Sequence, residues 1–98
     1  MKLESQKTGD SLRVALEGSL DTLTAPELEK ELATRWNDIG ELILDFSEVD
    51  YISSAGLRVV MEADRRMGKQ GKMVLRNVND DVRAVFEITG FDELLKFE

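Results

Sequence analysis

The sequence contains no histidine and no cysteine, and these two absences argue against whole classes of function. Without histidine, the chain lacks the commonest general base and the commonest metal ligand in proteins. Without cysteine, it forms no disulfide and carries no thiol nucleophile, which fits a reducing compartment. No glycine-rich phosphate loop of either common kind is present. We therefore predict that the protein is not an enzyme and that it binds no metal ion and no other cofactor.

Long apolar runs are missing as well. None approaches the roughly 20 residues that a membrane-spanning helix requires, and the N-terminal MKLESQ has no apolar signal core. The formal net charge of −7 argues against nucleic acid or an anionic membrane surface as a partner. We expect a cytoplasmic protein that binds neither nucleic acid nor membrane.

The apolar pattern that is present predicts one α/β domain over residues 1–98. Leu12, Val14 and Leu16 alternate with polar or small residues, as in a half-buried strand. The continuous run from Leu42 to Leu44 is typical of a strand that is buried on both faces. Helical patterns follow the strands in turn, and such alternation favours parallel strands joined by helical crossovers.

The three predicted helix starts differ in their charge. The first helix has Glu27 in its first turn, and the third has Asp80 and Asp81. An acid in this position is favourable by about 0.3–1 kcal/mol because the N-terminal end of a helix dipole is positive. The middle helix begins in SSAGLR, residues 53–58, where no acid occurs.

The start of the middle helix has two interpretations. Either Ser53 or Ser54 caps the helix and does nothing else, which is the ordinary role of such a serine. The cap alone does not explain the second serine, the missing acid or Gly56, which costs about 1 kcal/mol relative to alanine in a helix. The other interpretation is an empty anion site for a phosphate, carried by a ligand or attached to a serine.

Three segments give the chain a resemblance to a known family: LEGSLDTLTAPEL at 16–28, LILDFSEVDYISSAGLRVV at 42–60 and ITGFDELLKF at 88–97. Together they resemble a STAS domain of the bacterial anti-sigma factor antagonists. The resemblance implies the STAS fold, a mixed and mostly parallel sheet of four to five strands with an N-terminal hairpin and about four helices.

The same resemblance implies a role in the regulation of transcription by partner switching. The unphosphorylated antagonist binds an anti-sigma factor that is also a serine kinase, and a sigma factor is thereby released. Phosphorylation breaks the complex, and a metal-dependent serine phosphatase restores it. Aligned on Gly56 and Leu57, the family motif places the phosphoacceptor at Ser54. Ser53 is the alternative, because this chain has a second serine where some better-known members carry Asp.

A partner surface around this loop is expected from the same comparison. Asp21 matches a family acid beside the loop, although it also suits a residue that starts a turn. Gly56 is expected to leave room for the kinase or the phosphate. Partial exposure would make Leu57 and Met61 an apolar contact, whereas the alternative places both in the core. The full predicted surface consists of Asp21, Ser53, Ser54, Gly56, Leu57, Arg58, Met61 and Glu62.

Two other functions remain open at this stage, and so does a weak homodimer. The first is a stand-alone STAS subunit of a lipid-transport or transporter complex, in which the same helix face docks a constant partner. The second is a nucleotide-binding or hydrolytic domain, which the missing phosphate loop and the missing histidine make the least favoured.

Overall fold

The computed structural model describes residues 1–98, and its centre is a sheet of four strands in the order β1-β2-β3-β4. The first two strands form an antiparallel hairpin, and the remaining neighbours are parallel. The mixed, mostly parallel sheet and the N-terminal hairpin are therefore confirmed. The strands are β1 (Lys2–Thr8), β2 (Ser11–Leu20), β3 (Glu41–Ile52) and β4 (Lys72–Arg76).

Three α-helices and two 3-10 turns accompany the sheet, close to the four helices expected. A parallel bridge between Leu75 and Phe97 adds the end of the chain beside β4 as a fifth, rudimentary strand. No helix has the length and apolar composition needed to cross a membrane. The helices are α1 (Ala25–Ala33), α2 (Ser54–Met67) and α3 (Asp80–Thr89), and the 3-10 turns are Trp36–Asp38 and Phe91–Glu93.

One hydrophobic core joins all three helices to a single face of the sheet. The alternation in β2 buries Leu12, Val14 and Leu16 in this core, as predicted. The apolar run of β3 is buried on both faces, because Leu42 and Leu44 enter the core while Ile43 is buried outside it.

Asp45 is the one charged side chain in the buried set, and it lies on the helix-free face of β3. Burial by itself would raise the pKa of this carboxyl. Hydrogen bonds from the Ser47 backbone, the Asn77 amide and Arg13 outweigh burial and leave the pKa below its ordinary value. The contacts satisfy the carboxylate within the fold, which gives Asp45 a structural role.

The parallel pairing of β2 and β3 brings two loops together at one edge of the sheet. Leu20 lies opposite Ile52 at the carboxyl ends of the two strands. The backbone N–H of Ser53 donates to the carbonyl oxygen of Leu20 at 2.9 Å. Asp21, which follows β2, is therefore placed beside the start of α2.

Candidate functional site

Ser53 caps α2, and Ser54 is the first residue of the helix. The backbone of Ser53 is extended, with φ −101° and ψ 177°, and its hydroxyl accepts a hydrogen bond from the N–H of Gly56 at 3.4 Å. The Ser54 side chain is exposed to solvent. The structure thus separates the two serines, since only Ser53 has the geometry of an N-cap residue.

The start of α2 carries no acidic side chain in its first turn, as expected from the sequence. The other two helices have Glu27 or the pair Asp80 and Asp81 at the equivalent place. In α2 the basic residues Arg65 and Arg66 complement only the C-terminal end of the dipole. The positive end of the helix therefore faces the sheet edge without a neutralising carboxylate in its first turn.

Gly56 faces inward, against the end of β2. A Cβ at this position would lie 2.6 Å from the carbonyl oxygen of Leu20 and 2.9 Å from side-chain atoms of Leu20 and Ile52. Glycine is needed here because α2 approaches the strand ends closely. The interpretation that Gly56 leaves room for a kinase or a phosphate is wrong, since β2 and β3 fill that space. Gly56 shapes the site but is itself buried.

Asp21 organises the turn between β2 and α1. Its carboxylate accepts hydrogen bonds from the N–H groups of Leu23 and Thr24, both at 3.0 Å, and from the Thr24 hydroxyl at 3.1 Å. The hydrogen bond from the Thr24 backbone is the largest cause that holds the pKa of Asp21 below its ordinary value. Asp21 therefore starts a turn, and it does so beside the start of α2.

The four remaining predicted residues lie along the next turns of α2. Arg58 and Glu62 are exposed, and Met61 is half-buried, all as expected. The expected partial exposure of Leu57 is wrong, because Leu57 is only 5% exposed and belongs to the core. It lies three residues before Val60, on the stripe of α2 that faces the sheet.

A groove of about 790 Å³ runs from Ser54 along α2 and is closed on its other side by the Phe91–Glu93 turn. The sequence interpretation missed five of the residues that line it: Asp64, Arg65, Thr89, Phe91 and Leu94. Asp64 lies three residues after Met61, so helical periodicity could have placed it on the same face. Nothing local in the sequence indicates that the C-terminal turn forms the opposite wall.

Comparison with known proteins identifies the family. The chain belongs to the STAS domain family, because the family model described as "Mlab, STAS domain" matches residues 3–96. Within that family it is similar to BtrV of Bordetella bronchiseptica, a candidate anti-sigma factor antagonist. The two are 44% identical over 94 residues, which span 93% of this chain and 80% of BtrV. The resemblance seen in the sequence is thereby confirmed.

Solved structures agree on the fold. The candidate anti-sigma factor antagonist tm1081 of Thermotoga maritima superposes with a TM-score of 0.90 at 20% identity, over 97% of this chain and 84% of that one. The phosphorylated form of the Bacillus cell fate determinant SpoIIAA superposes with a TM-score of 0.78 at 19% identity, over 99% and 91% of the two chains. At these identities the likeness establishes the STAS fold.

Proposed function

We propose that this protein is an anti-sigma factor antagonist in a partner-switching pathway. Its unphosphorylated form binds an anti-sigma factor that is also a serine kinase, and a sigma factor is released as a result. The 44% identity to BtrV over most of both chains supports this assignment. Phosphorylation of Ser54 then dissociates the complex, and a metal-dependent serine phosphatase reverses the modification.

The observation that carries the proposal is the different state of the two serines. A kinase needs an accessible hydroxyl, and Ser54 is exposed at the first position of α2. Ser53 is less exposed, and its hydroxyl accepts the capping hydrogen bond from the N–H of Gly56. Ser54 is therefore the better phosphoacceptor, and Ser53 remains the alternative that the experiment below tests.

The fold can accommodate a phosphate at Ser54. A phosphoserine carries about −1.5 to −2 charges at neutral pH. At Ser54 this charge would lie at the positive end of a 14-residue helix whose first turn contains no acid. The SpoIIAA structure in its phosphorylated form has the same overall fold, which is consistent with a modification that leaves the fold intact. We expect the modified protein to keep its secondary structure.

Binding, by contrast, should be lost. The partner would have to remove water from a dianion, and the carboxylate of Asp21, which follows β2 beside the start of α2, places a second negative charge at this edge of the sheet. A loss of about 3 kcal/mol weakens a complex more than 100-fold. The switch therefore acts at the interface, and circular dichroism of the phosphorylated protein should match that of the unmodified one.

Phosphorylation mapping tests the proposal directly. The chain is incubated with its anti-sigma factor kinase and ATP, and the product is analysed by intact mass and peptide mapping. We expect one added phosphate on the wild type and on Ser53→Ala, and none on Ser54→Ala. Modification that survives in Ser54→Ala but disappears in Ser53→Ala would assign the switch to Ser53 instead.

One alternative is retained because the description of the matching family model names Mlab and does not name an anti-sigma factor antagonist. In this alternative the chain is a constant docking subunit of a lipid-transport or transporter complex. The same incubation distinguishes the two functions. A docking subunit gains no phosphate, and its complex with the partner is insensitive to ATP.

A further inference from the structure

The groove described above extends well beyond the predicted partner surface. Along α2, Ser54, Met61 and Asp64 follow one another on the side that lines the groove. Ser54 and Asp64 are ten residues apart, which corresponds to about 15 Å of helix. Phe91 and Leu94 line the same groove from the C-terminal segment. The length of the groove matches about three turns of a second helix.

The walls of the groove are apolar in the middle and charged at the rim. Met61 and Phe91 are half-buried, and Leu94 is 65% exposed. Arg58 and Arg65 lie along the α2 rim. This arrangement suits an amphipathic helix with an apolar ridge, which is one of the recurring modes of peptide recognition.

Asp64 is the half-buried charged residue of the groove, whose other charged lining residues, Arg58, Glu62 and Arg65, are exposed. Its carboxyl is half-buried, and burial raises its pKa above the ordinary value. None of the six ion pairs in the structure includes Asp64. A partly desolvated carboxylate without a counter-ion is unfavourable, and a cation brought by a partner would remove this cost. The net charge of −7 further favours a basic docking segment.

We propose that this groove docks an amphipathic helix of the anti-sigma factor, with its apolar ridge against Met61, Phe91 and Leu94 and a lysine or arginine paired with Asp64. This inference rests on the proposed function and specifies how the partner is bound. Ser54 lies at one end of the groove and Asp64 near the other. A phosphate on Ser54 would thus act at the mouth of a site whose ionic anchor is about 15 Å away.

Binding measurements with the unphosphorylated chain and its anti-sigma factor test this arrangement. We expect Asp64→Asn and Leu94→Ala each to raise Kd about tenfold, and Asp64→Lys to raise it further because like charges then meet. Glu17→Gln is the matched control, since Glu17 is an exposed carboxylate on β2 outside the groove. Circular dichroism establishes that each variant is folded. An unchanged Kd for both Asp64→Asn and Leu94→Ala would overturn the inference.

Charge reversal identifies the paired residue. Exchange of the partner's lysine or arginine for glutamate should restore binding to Asp64→Lys while it weakens binding to the wild type. If the partner's lysines and arginines are each exchanged for glutamate in turn and none of these variants binds Asp64→Lys, the ion pair is refuted. This test does not depend on phosphorylation, so its result is separate from the identity of the modified serine.

Hydrogen exchange of the complex separates failure of this inference from failure of the proposed function. We expect new protection in residues 61–65 and 89–95. Protection confined to residues 21–24 and 53–58 would overturn the groove and leave the antagonist function standing, whereas absence of any complex would overturn both. A dimer of this chain that Leu94→Ala dissociates would make a second copy the occupant and would also overturn the inference.

Discussion

Gly56 lies so close to Leu20 that a Cβ on Gly56 would be 2.6 Å from the Leu20 carbonyl oxygen. The same oxygen accepts a hydrogen bond from the N–H of Ser53 at 2.9 Å. A backbone oxygen in a paired strand cannot rotate away as a side chain can. The end of β2 therefore fixes where α2 begins, and this contact holds Ser54 at the edge of the sheet.

Gly56→Ala should consequently destabilise the fold. Insertion of a methyl group into a packed site costs about 1–3 kcal/mol, which exceeds the roughly 1 kcal/mol that alanine gains in helix propensity. Chemical denaturation measures the difference. Gly68→Ala is the matched control, because Gly68 has a right-handed helical φ of −60° and its nearest contacts would be 3.5 Å away. We expect this control to be neutral or stabilising, and equal stability of Gly56→Ala and the wild type would contradict the contact.

The two serines should differ in their effect on stability as well as in phosphorylation. Ser53→Ala removes the cap of α2 and should lower the free energy of unfolding by about 0.5–1 kcal/mol, at the low end of the usual range because the bond is 3.4 Å long. Ser54→Ala changes an exposed side chain and should stay within about 0.5 kcal/mol of the wild type. Denaturant titrations that give the reverse order would contradict the assignment of Ser53 as the cap.

Much of the fold was predictable because its signals are local. The alternation of Leu12, Val14 and Leu16 and the apolar run of β3 each report the burial of their own strand. The absent acid at the start of α2 is equally local, since a helix end responds to charges within its first turn. The parallel pairing of β2 with β3 and of β3 with β4 is the arrangement that the alternation of strand and helix patterns predicted.

The errors and omissions concern contacts between distant parts of the chain. Gly56 was misinterpreted because its neighbour Leu20 is 36 positions away, and the burial of Leu57 stayed open because it depends on how closely α2 packs against the sheet. Which serine caps α2 depends on the backbone angles of one residue. The groove was missed because Leu94 comes from a different segment than α2. Such contacts follow from tertiary packing and produce no periodic pattern in the sequence.

Substitutions of Leu57 and Met61 by alanine should differ in their effects on stability and on binding. Leu57 is buried, so Leu57→Ala should lower the free energy of unfolding by about 2–5 kcal/mol. Met61 is half-buried in the groove, so Met61→Ala should lower stability less and weaken binding to the anti-sigma factor more. Thermal unfolding and titration calorimetry on the same samples measure both effects. Met61→Leu keeps the apolar surface and serves as the control, and a Met61→Ala variant that binds normally would remove Met61 from the interface.

The turn at Asp21 should give the fold an acid-sensitive contribution. The folded-state pKa of Asp21 lies below its ordinary value of 3.8, chiefly because the Thr24 backbone donates to the carboxylate. These hydrogen bonds therefore stabilise the fold above pH 3.8, and the stabilisation disappears as the pH falls through the folded-state pKa. We expect the Tm difference between wild type and Asp21→Ala to be largest at neutral pH and to shrink in acid. Asp21→Asn retains one oxygen acceptor and should lose less than Asp21→Ala, and a pH-independent difference would contradict this account.

Asp64 should show the opposite dependence on pH, because burial raises its folded-state pKa above the ordinary value of 3.8. Its charged form then costs stability at neutral pH, and the cost disappears as the pH falls below 3.8. Asp64→Asn should therefore unfold at a higher temperature than the wild type at pH 7 and at nearly the same temperature in acid. Asp21→Asn at the same pH values is the control with the reversed sign. A lower Tm for Asp64→Asn at pH 7 would mean that the carboxylate already has a stabilising partner within the chain. A variant that folds more stably yet binds its partner more weakly would show that Asp64 is kept for an interaction outside the domain.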